Sequence, residues 1–244
     1  MKSKRSTLDS RLAGDKPQGA LYPLLQITDS LFPSGAFAHS YGLEGLLAEK
    51  QRYEAASLRA AIEAIWTAHL LHTDGLLGGA AHRAMARGDI DRVCVLDRNL
   101  LASKLARELR DASTSIGKAF LTEASLFVAD QRLVELQARV EAGESPGNHA
   151  IAFCSVAAAV AAPEAESLLA WGYQTIAQLT AAVVRLGMLG HRAAVSLVAA
   201  LQPTVEEGLR HIVGLDADAM SSFAPRLEIA SMRHEQQYSR LFRS

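Results

Sequence analysis

The sequence predicts an all-α fold: a single helical domain of about ten helices, with a mobile N-terminal arm and a C-terminal tail. Three observations carry that class. Alanine and leucine supply most of an apolar content of 49%, whereas aromatics reach only 6%. That balance favours helices, because β-branched and aromatic side chains are what strands prefer. Apolar residues recur at three- and four-residue steps in segment after segment. Alternating runs of the strand type are absent.

The elements follow in order. Residues 1–20 are basic but have no apolar run behind the charges, so they read as an arm and not as a secretory signal. A short apolar segment, Leu21 to Leu31, stops at Pro33–Ser34–Gly35, a loop signal. A helix is expected from Ala36 to about Lys50. The next places Leu58, Ala61, Ile62, Ile65, Trp66, His69 and Leu70 on one side. Another runs from about Thr73 to Arg87, where Gly88–Asp89 supplies a stop and then a new N-cap. Asp89 to about Leu101 is the fourth, and Ser103 to about Val140 is one long helix or two joined near Gly117.

Gly143 to Gly147 is the clearest internal break, and the apolar faces on both sides make it a loop within one domain spanning 21–224. Helices follow over Asn148–Ala161, Pro163–Leu186 and Leu189–Leu201, with Pro163 suited to a first turn. Thr204–Val–Glu–Glu207 reads as a capping box opening a short helix. Residues 215–224 form a hinge before a tail over 225–244.

Several function classes are excluded on composition. A net charge of −1 and a pI near 6.7 give no bulk attraction to nucleic acid. The most apolar stretch, Ile151 to Ala162, is too short to span a bilayer, so a soluble cytoplasmic protein is expected. Cys94 and Cys154 lie in apolar runs and read as buried free thiols of a reducing compartment. No phosphate-wrapping glycine loop, dinucleotide fingerprint, nucleophile elbow or CxxC pair occurs. No catalytic residue, cofactor or metal site is therefore assigned. His69, His72 and Asp74 are the one competing set: two histidines one helical turn apart that could share a metal in a nickel-binding chaperone or metalloprotein. No acidic residue follows His69 as in a zinc-protease helix, and its apolar face favours packing.

Two segments stand out instead. The first is LFPSGAFAHSYGLE at 31–44, where Pro33 and Gly35 shape a turn and Phe37, Tyr41 and Glu44 follow at helical spacing. Gly42 and Gly45 cost helix stability, so close contact with other backbone is implied. The second is RLEIASMRHEQQYSRLFRS at 226–244. Read as a helix, it puts Leu227, Ala230, His234, Tyr238 and Leu241 on one face, an apolar stripe that must dock on its own domain or on a partner.

These segments resemble the urease accessory protein F (UreF) family, as do RELRDASTSIGKAF at 107–120, His149 with its apolar followers, and VVRLGMLGHR at 183–192. The resemblance covers nearly everything beyond residue 20, in the family's order. It departs at Gly187–His191, where many relatives carry a Pro–Leu–Gly–Gln type run. The resemblance implies an all-helical, homodimeric, non-catalytic scaffold for urease maturation. Such a scaffold binds accessory protein D (H in some species) and with it recruits and modulates the nickel-carrying GTPase, accessory protein G, for nickel insertion into apo-urease. By the same resemblance, residues 225–244 are a docking tail, mobile alone and ordered in the complex. Its candidate partner contacts are Arg226, Met232, Arg233, His234, Glu235, Tyr238, Arg240, Leu241, Phe242 and Arg243. Pro33, Ser34, Gly35, Phe37, Ser40, Tyr41, Gly42 and Glu44 match the N-terminal signature, expected near the tail or the dimer seam.

Overall fold

The computed structural model describes residues 19–48 and 53–243. The arm over residues 1–18, the helix end near Lys50 and the terminal Ser244 lie outside the described residues. The chain begins with α1 (Leu21–Thr28), a 3-10 turn (Ala36–Ala38) and α2 (Leu43–Leu47). It continues with α3 (Ala55–Ile65), which runs through a π-helical stretch (Trp66–Gly75) into α4 (Leu76–Ala86). After these come α5 (Ile90–Ser103), α6 (Arg107–Ala124), α7 (Gln131–Glu141) and α8 (His149–Ala159). The long helices α9 (Glu164–Arg185) and α10 (His191–Ile212) lead through a second 3-10 turn (Ala217–Ala219) to α11 (Pro225–His234). The described residues contain no strand.

Helix α8 is the hub. Every residue from His149 to Ala158 is buried, as befits a helix that is apolar all round. Its alanines let α4 and α6 approach on either side. Phe120 of α6 and Phe153 of α8 stack with ring centroids 5.5 Å apart, and Trp66 meets Trp171 of α9 at the same spacing. Helices α9 and α10 form the outer layer over the π-helical stretch. The loop before α8 is pinned by a buried carboxylate. Asp97 accepts from the Gly147 and Asn148 amides at 2.6 and 2.9 Å, and from Ser145 Oγ at 2.5 Å.

Several boundaries differ from the sequence expectation. Ala36 to Lys50 is not one helix: Tyr41 and Gly42 take positive φ values of 53° and 79° and reverse the chain before α2. The break expected near Thr73 is replaced by π-winding, which keeps α3 and α4 continuous. Helix α6 passes through Gly117 without a joint. That glycine is needed for proximity, since a Cβ there would land on the Gly147 carbonyl oxygen. The two segments expected on either side of residue 202 fuse into α10 through Pro203. The lost hydrogen bond there is offset by a continuous buried stripe of Leu197, Leu201, Val205 and Leu209. Thr204 donates its hydroxyl to Glu63 Oε1 at 2.8 Å instead of capping a helix. Asp89 acts as the expected N-cap, accepting from the Arg92 amide, whereas the helix expected from Ser103 to Val140 breaks over 125–130, where Asp130 caps α7 by accepting from the Arg132 amide.

Candidate functional site

The N-terminal signature and the C-terminal segment form one site. Gly42 and Gly45 make it possible. A Cβ on Gly45 would sit 2.6 Å from the Ala230 carbonyl oxygen, and one on Gly42 would be 2.9 Å from Leu227 Cδ1 and nearer still to Ser231 Oγ. Helix α11 therefore lies backbone-close on α2, as the two glycines implied. Ser40 Oγ accepts the Glu44 amide at 3.2 Å, which helps direct the Glu44 side chain toward α11.

At the end of α11 sits a buried charge cluster. His234 is fully buried between two carboxylates, with Nε2 2.9 Å from Glu44 Oε2 and Nδ1 2.8 Å from Glu108 Oε2. Past His234 the helix stops and the chain folds back. Arg240 pairs with the other oxygen of Glu108. The Leu241 and Phe242 amides donate to Glu44 at 2.8 and 2.9 Å, and the Arg243 amide donates to the Ala38 carbonyl at 3.0 Å. One glutamate of the signature thus holds both the end of α11 and the returning strand of chain. A second buried acid, Glu228, accepts the Ala106 amide at 2.8 Å and ties α11 to the start of α6.

An aromatic clamp closes the site. The Arg185 guanidinium lies between two rings, 4.1 Å from the Phe37 centroid and 4.2 Å from that of Phe242, a cation–π arrangement with one buried ring and one exposed ring. Burial lowers the Arg185 guanidinium somewhat from its ordinary value. Arg185 also donates to the Phe37 carbonyl.

The tail residues singled out from sequence therefore divide into two groups. His234 and Phe242 are buried against this chain's own domain, Arg240 is exposed and Glu235 half-buried, ion-paired with Glu108 and Arg107, and Arg243 donates its amide to Ala38. Arg226, Met232, Arg233, Tyr238 and Leu241 face outward, with Tyr238 entirely exposed. The single apolar face through Tyr238 and Leu241 does not form, because α11 ends at His234. The anchor is Phe242 instead. In the signature, Ser34, Ser40, Tyr41 and Gly42 are buried, Glu44 is half-buried, and Pro33, Gly35 and Phe37 are exposed. Burial, with Asp74 adding, pushes the Tyr41 phenol up.

Sequence reasoning did not single out Glu108, Arg185 or Glu228. Each lies inside a run matched to the family, but only the fold turns those runs toward one point. Buried acids are rare without partners, and that rule could flag Glu108 and Glu228 once a helix face is known.

The competing His69, His72 and Asp74 set does not assemble. Among the described residues, no group of three His, Cys, Asp or Glu side chains is placed to hold a metal ion. The one-turn argument assumed α-helical winding, and the stretch winds as a π-helix, whose wider turn moves i and i+3 off a shared face. His69 Nδ1 bonds Ser222 Oγ at 2.9 Å. Burial, reinforced by Lys104, lowers its imidazole to about 4. Asp74 is a buried ion-pair partner of Lys104 at 2.6 Å. Burial pushes its carboxyl up, and Lys104, His69 and Thr73 more than reverse that.

In this helical domain Glu44, Glu108, Glu228 and the aromatic clamp converge on the C-terminal segment, and its relatives place the chain in a class of accessory proteins. The chain belongs to the UreF family of urease accessory proteins. The family model matches residues 53–202. A urease accessory protein UreF of Arthrobacter sp. strain FB24 is 33% identical over 221 residues, covering 91% of this chain and 96% of that protein. The proteins of the same name from Bacillus sp. strain TB-90 and Actinobacillus pleuropneumoniae are each 31% identical. They cover 92% and 93% of this chain and 99% and 100% of their own lengths.

Proposed function

We propose that this chain is a non-catalytic scaffold for urease maturation, docking accessory protein D/H through the outward side of residues 225–244. With that partner it would recruit and modulate the GTPase that carries nickel to apo-urease, in the cytoplasm. The observation that carries the reading is the split tail. Its inward side chains are spent on seating it, while Ile229, Met232, Tyr238 and Leu241 stand exposed between Arg226, Arg233 and Arg240. Aromatic and arginine side chains of that kind are the anchors that buried interfaces favour.

The test is a pull-down with purified D/H partner, comparing the wild-type chain with Tyr238→Asp plus Leu241→Asp. Tyr238 is fully exposed and Leu241 is 60% exposed, so the variant should keep its fold, and capture should fall at least tenfold. Equal capture by both forms would refute the assignment. A homodimer is the accompanying expectation. It is supported by an exposed apolar groove of about 710 Å³ between α1, α9 and α10, lined by Leu21, Leu25, Leu169, Tyr173 and Val195. Sedimentation of Leu25→Asp plus Val195→Asp should show a smaller particle than wild type, and an unchanged particle would move the seam elsewhere.

A further inference from the structure

The site around His234 holds one proton more than its groups carry in their ordinary neutral-pH forms. A neutral imidazole has one N–H donor and one bare nitrogen acceptor, whereas an ionised carboxylate only accepts. Both ring nitrogens of His234 face carboxylate oxygens, at 2.8 and 2.9 Å. With a neutral ring and two carboxylates, one lone pair would point at another inside a buried site. Glu44 is already committed as an acceptor, taking the Leu241 and Phe242 amides. Glu108 likewise accepts from Arg240. The extra proton therefore belongs on the ring, the more basic group. The charge count agrees: imidazolium and Arg240 together balance Glu44 and Glu108, while a neutral ring leaves one buried negative charge uncompensated. Of the other groups near the cluster, Arg107 pairs with Glu235 on α11, Glu228 accepts the Ala106 amide, and Arg185 is held between the Phe37 and Phe242 rings. The Arg243 charge acts on His39, which burial and that charge lower to about 4.

We propose that His234 is a proton-operated latch: the imidazolium locks the C-terminal segment onto the N-terminal signature, and loss of that proton releases residues 235–243. Release would free the Leu241 and Phe242 amides together with the Phe242 ring. It would thereby expose the face of Glu44 and Arg185 that the returning chain now covers. This inference stands whether or not the outward face of the tail docks a partner.

Amide hydrogen exchange on the full-length protein tests it, read as protection factors from about pH 6 to about 9, the range over which an imidazole can titrate. Protection at Leu241 and Phe242 should fall at least tenfold across the range, with a limiting slope of tenfold per pH unit for one proton. Amides of α8 should not follow. Glu108→Gln is the discriminating variant. Its amide oxygen can still accept from Arg240 while its NH₂ donates to His234 Nδ1, so a neutral ring is satisfied. The tail should then stay protected with no pH dependence. A flat wild-type profile would overturn the proposal, as would an unprotected tail in wild type. Glu108→Gln would overturn it by keeping the wild-type slope or by losing protection at every pH. Ring-nitrogen NMR gives an independent check, since a bare nitrogen on His234 at neutral pH with the tail docked also refutes it.

Discussion

Gly42→Ala puts the seating of α11 on α2 to its sharpest test, because two costs of separate origin act in the same direction. The first is conformational. Gly42 has φ +79°, where a Cβ costs about 1–2 kcal/mol against the following carbonyl. The second is steric. The added methyl would lie 2.9 Å from Leu227 Cδ1 and inside contact distance of Ser231 Oγ. Both neighbours belong to a buried face of α11, and overpacking of that kind costs about 1–3 kcal/mol. The sum, about 2–5 kcal/mol, corresponds to a melting-temperature loss on the order of 5–20 °C for a chain of this size. Thermal melts followed by circular dichroism measure it. Ser231→Ala separates the two parts. Its hydroxyl has no hydrogen-bond partner in the structure, so removing it alone should cost little. In that background Gly42→Ala should recover about 1 kcal/mol of the steric part as a coupling energy. A Gly42→Ala cost identical in both backgrounds would show that α11 does not rest on Gly42.

Three further outcomes follow from the same contacts. Phe242→Ala removes a buried ring from the Arg185 clamp at about 3–5 kcal/mol, so tryptic cleavage after Arg240 should accelerate by about 100-fold or more while the melting temperature of the domain barely moves. Lys104→Met strands the buried Asp74 carboxylate and should cost about 3–5 kcal/mol, most of which Asp74→Leu in the same chain should restore; urea melts compare the two. Burial holds His69 and His149 neutral, lowering each to about 4. The unfolded chain, titrating near 6.5, therefore binds more protons between those values. Stability is full above about pH 6.5 and falls as pH drops toward about 4, by an upper bound of order 3 kcal/mol per histidine. Urea unfolding at pH 7.5 and at pH 5 checks that sign, and His149→Phe should shrink the difference by its own share while that of His69 remains.

Much of this protein was legible before any fold was known. The 3.6-residue periodicity of α3, α9 and α10, the acid N-caps at Asp89 and the loop at Gly143–Gly147 all report local backbone preferences. Gly42 and Gly45 announced a close backbone approach, although not to what. Where the reading failed, the competing force was tertiary. Pro203 sits inside a helix because the stripe around it is buried against α9 and the π-helical stretch. Gly117 sits inside another because the 147–149 backbone passes over it. The His69, His72 and Asp74 spacing lost its meaning once π-winding changed the angular step.

The C-terminal segment separates the two kinds of information most clearly. By itself the sequence determined that residues 226–244 carry an apolar and arginine-rich pattern that cannot stay idle in water. It also determined, through motifs spread along the chain, the family to which the protein belongs. Only the tertiary structure decided which residues face inward. Glu44, Glu108 and Arg185 are 64 and 77 positions apart in turn, and no local rule ties them to His234, Arg240 and Phe242. Their convergence comes from the packing of α2, α6 and α9 around the end of α11. There, burial makes every unpaired charge costly, so each acid must find its partner in space rather than along the chain.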